Sequence, residues 1–216
     1  MEELMARQPD DNCSGMLNAF SSAHQMGFQA TGSGDHARSY FALVERRIPL
    51  LGKLQLFRDQ GQAMCNLSDM LHCLGRNSEI ATWYQRARDV GAEHGFFSLE
   101  SRACIGLGEA AMDEGRHEEG LALLRNALVA AELNELDDPL YELDALKSLM
   151  FALFSTKLID EVEPLVLRYR EAVKAQSGKQ GAGFCFAECD SLIYSARLHE
   201  VLCLCTPRWE PLTTAQ

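Results

Sequence analysis

The sequence contains few residues that break helices and no stretch that would cross a membrane. Only 6 prolines occur in 216 residues, and because proline disrupts helix interiors, long helices are permitted. No apolar run approaches the ~18 residues of a spanning helix, which excludes membrane insertion and leaves at most a peripheral role. The start, Met1 to Leu4, lacks the basic and apolar regions of a signal peptide. We therefore expect a cytoplasmic protein.

Basic residues are also scarce. The chain has 20 Lys and Arg against 31 Asp and Glu, which gives a net charge of −11. Nonspecific affinity for nucleic acid comes from clustered Lys and Arg that neutralise phosphates. Nucleic acid is therefore not an expected partner.

The sequence has no recognisable catalytic motif. Gly181-Ala182-Gly183 lacks the preceding strand and the spacing of a dinucleotide-binding loop. His72, His94 and His117 stand at predicted helix ends or turns, and none is paired in sequence with a nucleophilic serine or cysteine. The sequence predicts a protein without enzymatic activity and without a cofactor.

The eight cysteines are spread through predicted helices and are most simply reduced thiols. Cys65, Cys73 and Cys104 lie in or beside predicted packing positions, so we expect buried thiols there. Near the end of the sequence, five residues supply enough ligands for tetrahedral zinc: Cys185, Cys189, His199, Cys203 and Cys205. Their spacing is not that of a standard zinc knuckle. No metal site is predicted, and an enzyme or zinc protein built on this C-terminal segment is kept as a third alternative.

What the sequence does contain is one helix-turn-helix pattern written twice between Gln62 and Leu136. Gly75 and Gly115 align at an offset of 40 residues, and four further pairs share that offset: Leu67 with Leu107, Arg76 with Arg116, Glu79 with Glu119, and Ala87 with Ala127. A period in this range is typical of stacked repeats. The pattern predicts helix pairs over 60–95 and 97–136. A third pair over 139–175 is shifted by two residues and has Lys157 in place of the turn glycine.

The flanking segments are predicted to complete this repeat domain, which spans 14–176. An irregular helix is expected around 16–26, and a second over 36–56 that Pro49 kinks or divides, with a break near 57–59. The remaining segments are predicted to be a disordered start (1–13), a flexible link (177–183), a capping helix (184–205) and a tail (206–216).

The residues of the two clear pairs resemble the tetratricopeptide repeat. The first pair carries Leu67-Ser68, Leu71, Gly75, Ile80, Tyr84 and Ala87, and the second carries Leu107-Gly108, Ala111, Gly115, Gly120, Leu124 and Ala127. The periods of 40 and 42 residues are similar to the longer-helix variety of Pins-type adaptors and kinesin light chains. The sequence departs from the motif at Ile80 and Gly120, where alanine is preferred, and at Lys157, where glycine is preferred.

The resemblance implies an all-α fold, a right-handed solenoid of antiparallel helix pairs with about three to four repeats and a C-terminal capping helix. First helices would line a concave groove that binds extended or helical segments of other proteins. In the longer-helix family an asparagine at the position of Asn66 bonds to ligand backbone. The next repeat has Gly106 there, so the family's asparagine ladder is not kept.

Beside Asn66, which the resemblance implies, helical phase places eight residues in this groove, so that nine are predicted: Gln62, Asp69, Arg102, Glu109, Asp113, Asp144, Lys147 and Phe151 join Asn66. The set holds more acid than base, so a segment that carries Lys or Arg beside an apolar anchor would complement it. A clamp for acidic C-termini needs several Lys, Arg and Asn residues that converge on a carboxylate, and only Asn66 and Arg102 would serve. The sequence therefore predicts a noncatalytic adaptor or scaffold that binds another protein. The alternative is a sensory module that binds a small ligand or signalling peptide, and whether the chain is a piece of a longer repeat protein is left open.

Overall fold

The computed structural model describes residues 10–134 and 140–177, and every regular element within these ranges is helical. The α-helices are α1 (Asp10–Thr31), α2 (Gly34–Lys53), α3 (Phe57–Cys73), α4 (Asn77–His94), α5 (Phe97–Asp113), α6 (His117–Glu132), α7 (Leu140–Ser155) and α8 (Val162–Ser177), with a short 3-10 helix at Ile159–Glu161 before α8. This confirms the predicted all-α class. Among the described helices, none combines the length and the apolar character that a bilayer crossing requires.

The chain divides into two compact units, the first ending at Leu158 and the second beginning at Ile159. In the first unit α1 packs on α2, α3 on α4, and α5 on α6, while α3, α5 and α7 also contact one another in succession. In the second unit, Val162, Tyr169 and Val173 are the buried apolar residues among those described. The predicted capping helix and tail lie outside the described residues.

Several helix boundaries differ from the predicted ones. Helix α1 begins at Asp10, so the last part of the segment expected to be disordered is helical. Helix α3 begins at Phe57, and the break before it lies at 54–56 rather than 57–59. Helix α2 runs through Pro49 without being divided. Pro49 has no N–H to donate to the Glu45 carbonyl, but the adjacent Ile48 and Leu51 are buried, and this packing holds the helix through the proline.

A residue in the left-handed conformation follows each of α1 to α5 and also α7, and Gln55 and Gly95 do so after α2 and α4. Gly32, Gly75, Gly115 and Lys157 follow α1, α3, α5 and α7, at separations of 43, 40 and 42 residues, and all have φ between 63° and 79°. At Gly75, Gly115 and Lys157, the backbone N–H of the next residue donates to the carbonyl five residues before it, for example Arg76 N to Leu71 O at 3.0 Å. This is the 6→1 bond of a Schellman motif. Lys157 therefore performs the turn that glycine performs in the two clear repeats.

Small residues let α5 and α6 cross with their backbones close together. A Cβ built on Gly120 would lie 3.0 Å from the carbonyl oxygen of Gly108, and a Cβ on Gly108 would lie 2.7 Å from Leu124 Cγ. In α3 and α4 the equivalent positions hold Ser68 and Ile80, and Ser68 Oγ donates a 3.3 Å hydrogen bond to the Ile80 carbonyl. The two departures from the motif, Gly120 and Ile80, thus lie in two different helix contacts: a close backbone approach between α5 and α6, and a side-chain hydrogen bond between α3 and α4.

The cysteines of the described residues are free thiols, and two of the three expected to be buried are so. Cys65 and Cys104 are buried, and loss of water around the sulfur raises the pKa of Cys65 to about 12 and that of Cys104 to about 11. Cys73 is exposed, so the expectation of a buried thiol was wrong there, because Cys73 ends α3 at a solvent-facing turn. The C-terminal cysteines and His199 lie outside the described residues.

Candidate functional site

Three first helices of the repeats, α3, α5 and α7, lie side by side and run in the same direction. Side chains 36 residues apart meet between α3 and α5, as Asn66 and Arg102 do, and side chains 39 residues apart meet between α5 and α7, as Glu109 and Ser148 do. This spacing is close to one repeat period. Residues at the same helical phase therefore form one continuous face.

A pocket of about 250 Å³ opens on this face. It is lined by ten residues: Asp69, Tyr84, Arg102, Ile105, Gly106, Glu109, Tyr141, Asp144, Lys147 and Ser148. Five of the nine residues predicted for the groove are among them, namely Asp69, Arg102, Glu109, Asp144 and Lys147. The pocket thus gathers predicted residues from three successive first helices.

The floor of the face between α3 and α5 is a hydrogen-bonded network centred on Arg102. Its Nη2 lies 2.6 Å from Asp69 Oδ2 and 2.8 Å from Asn66 Oδ1, and Gln62 Nε2 donates to the same Asn66 oxygen at 3.0 Å. Burial lowers the pKa of Arg102, but the charge and hydrogen bond of Asp69, together with Cys65 and Tyr84, outweigh this effect, and the pKa lies above its ordinary value. Arg102 is therefore a fixed cation whose charge is largely compensated by Asp69.

Asn66 takes part in this network through its carbonyl oxygen alone. Its Nδ2 has no hydrogen-bond acceptor among the residues that the structure describes. An asparagine amide nitrogen carries two donors. The network thus orients Asn66 while its donors are available to a carbonyl group of a bound chain.

Tyr84 belongs to the second helix α4, yet its hydroxyl reaches the groove and donates a hydrogen bond to Asp69 Oδ1. Its ring fills the space beside Gly106, where a Cβ would overlap it. Burial raises the pKa of Tyr84, and the Asp69 charge and hydrogen bond raise it further. The sequence identified Tyr84 only as a residue of the repeat motif and did not predict it in the groove. The available signal was Gly106, which stands where Asn66 stands one repeat earlier.

Glu109 and Asp144 provide the acidic wall of the pocket. Ser148 Oγ donates a 2.7 Å hydrogen bond to Glu109 Oε1, and Lys147 Nζ lies 3.2 Å from Asp144 Oδ1. The pKa of Glu109 lies above its ordinary value, chiefly because the pocket wall removes water from the carboxyl group, although the residue as a whole is exposed. Ser148 and Tyr141 are further pocket residues that the sequence reasoning did not identify.

The remaining predicted residues lie beside the pocket or away from it. Gln62 and Asn66 adjoin it through the Arg102 network. Asp113 is the last residue of α5 and is exposed. Phe151 lies one helical turn beyond Lys147 on α7 and is 66% exposed, so it offers apolar surface next to the charged pocket.

These observations define the class of protein: an all-α solenoid of helix pairs with tetratricopeptide-like repeats. Comparison with solved structures supports this fold. The chain is similar to a Podosopora anserina protein described as a candidate kinesin light chain with nearly identical TPR-like repeats. The two share 15% sequence identity, the match covers 88% of this chain and 92% of that chain, and the TM-score is 0.58. A second structure of such repeats from the same organism gives 14% identity, coverage of 88% and 91%, and a TM-score of 0.55. Comparisons with protein-family models and with curated proteins gave no match.

Proposed function

We propose that the chain is a noncatalytic adaptor that holds a basic and apolar segment of another protein along the face formed by α3, α5 and α7. The observation that carries the proposal is the pocket, because it collects side chains from all three first helices at one helical phase. A peptide or helix laid along this face would meet all three helices, with one of its side chains in the pocket. The Asn66 donors and the Phe151 ring adjoin the pocket and add a backbone contact and an apolar contact.

The size and lining of the pocket favour a side chain over a metabolite. Pockets for drug-sized ligands are roughly 300–1,000 Å³, whereas this pocket is about 250 Å³ and five of its ten lining residues carry a charge. A sensory module for a small ligand is therefore the weaker candidate. The buried thiols Cys65 and Cys104 agree with a reducing compartment, which supports the proposed cytoplasmic location.

The test is a selection of phage-displayed random peptides on the full chain, followed by calorimetric titration of a recovered peptide. We expect Asn66→Ala and Phe151→Ser each to weaken binding about tenfold, which corresponds to about 1.4 kcal/mol. Met26→Ser is the matched control, because Met26 is 64% exposed but lies on α1, outside the groove. Recovery of no peptide, or equal binding by all three variants, would refute the proposed groove.

A further inference from the structure

The charges in the pocket do not balance. Asp69 is paired with Arg102 at 2.6 Å, and Asp144 is paired with Lys147 at 3.2 Å. Glu109 accepts a hydrogen bond from the neutral Ser148 hydroxyl, and no ion pair to Glu109 occurs among the described residues. Within the described residues, the Glu109 carboxylate thus has no counter-ion of its own.

This carboxylate is in an environment that a cation would improve. Removal of water raises its pKa, while the Ser148 hydrogen bond and, to a lesser extent, the charges of His72 and Lys147 lower it. A desolvated carboxylate is stabilised by an opposite charge and by hydrogen-bond donors that replace the lost water. Its Oε2 has no hydrogen-bond donor within the described part of the chain.

The rest of the pocket suits a long cationic side chain. Ile105 and Tyr141 also line the pocket. The alkyl stem of lysine or arginine packs well on apolar side chains while its charged head stays at a polar group. An aromatic ring also attracts a cation that lies over its face. Arg102 does not oppose this binding strongly, because Asp69 compensates its charge.

We propose that the pocket accepts one lysine or arginine side chain of the bound segment, with Glu109 as its counter-ion and Tyr141 and Ile105 beside its stem. This inference rests on the proposed adaptor function and names the specificity of the same groove. Three acids and two cations line the pocket, so an acidic side chain at this position meets net repulsion. The pocket therefore selects against acidic segments as well as for basic ones.

A charge-swap experiment tests the inference. The recovered peptides are expected to share a lysine or arginine, and its replacement by citrulline or norleucine is expected to weaken binding at least tenfold. Glu109→Lys is expected to weaken the original peptide to the same extent and to bind a peptide in which that cation is replaced by glutamate. Glu109→Gln, which keeps the side-chain shape, separates the loss of charge from the reversal of charge.

Glu93→Lys is the matched control, because it makes the same change in net charge at an exposed position on α4. It should keep the wild-type preference, and circular dichroism should show that all variants are folded. Peptides that bind in the groove without a shared cation, or with an affinity that Glu109→Lys leaves unchanged, would overturn this inference and leave the adaptor proposal standing. Failure to recover any peptide would overturn both.

Discussion

Tyr84 occupies the space that a side chain at Gly106 would fill. The ring of Tyr84 comes from α4, crosses to α5 and delivers its hydroxyl to Asp69 on α3. Because Gly106 has no side chain, the Tyr84 ring has room to reach from α4 to the groove. Tyr84 is therefore both a packing residue between helices and a residue of the groove.

We expect Gly106→Ala to lower the free energy of unfolding by about 1–3 kcal/mol, the range for overpacking a close contact. Tyr84→Leu in the same chain should restore most of this loss, because it removes the ring that the new methyl group meets. Urea unfolding monitored by circular dichroism measures both effects. Gly15→Ala is the control, since a Cβ at Gly15 meets nothing within 4 Å and should be neutral or stabilise α1 by up to about 1 kcal/mol. Equal effects at Gly106 and Gly15 would contradict the contact.

The turn residues Gly75 and Lys157 provide a matched pair for the left-handed conformation. Both have positive φ, 69° and 63°, and a Cβ at Gly75 meets nothing within 4 Å, so backbone strain is the main difference between the residue types. Gly75→Ala should lower the free energy of unfolding by about 1 kcal/mol, and Lys157→Gly should raise it by up to about 1 kcal/mol. Thermal unfolding of both variants checks the signs. Two shifts of the same sign would show that strain does not control these turns.

The sequence was sufficient for features that depend on one helix or on one turn. Gly75 and Gly115 revealed the period because each ends a helix in the same way, and the phase of each first helix placed Asp69, Arg102 and Glu109 on one face. The sequence alone could not predict contacts between residues of different repeats. The bond of Arg102 to Asn66 depends on the 36-residue register between α3 and α5, and the reach of Tyr84 depends on a missing side chain in another repeat. The start of α3 was misplaced because Leu56 at its N-cap gives no side-chain cap.

The ion pair between Arg102 and Asp69 should contribute modestly to stability. The side chains are 30% and 45% exposed, and pairs with this much solvent typically contribute about 0.2–1 kcal/mol. A double-mutant cycle with Arg102→Met and Asp69→Asn should give a coupling free energy in that range at low salt. The coupling should fall in 1 M NaCl, because salt screens exposed charges. A coupling of zero at low salt would mean that the network positions Asn66 without stabilising the fold.

Glu109 should make the free chain less stable as the pH rises. Its pKa in the folded chain lies above the ordinary value of 4.5, so the unfolded chain loses this proton first. The penalty is absent below pH 4.5, grows as the pH rises from there through the folded-state pKa, and is constant above it. Glu109→Gln removes the ionisable group and keeps an oxygen that accepts from Ser148.

We therefore expect Glu109→Gln to raise the free energy of unfolding at pH 7, by no more than about 1 kcal/mol because the residue is exposed, and to have little effect at pH 4. Urea unfolding of wild type and variant at both pH values gives the difference. Glu45→Gln is the control, at an exposed position in α2 outside the pocket, and should show no comparable gain at pH 7. A lower stability of Glu109→Gln at pH 7 would mean that Glu109 already has an effective counter-ion within the chain, which would leave a bound lysine or arginine with less charge to neutralise. A higher free energy of unfolding for Glu109→Gln at pH 7 but not at pH 4 would instead show that the ionised Glu109 carboxylate lowers the stability of the free chain. This is expected for a group whose function is to bind a cation of a partner.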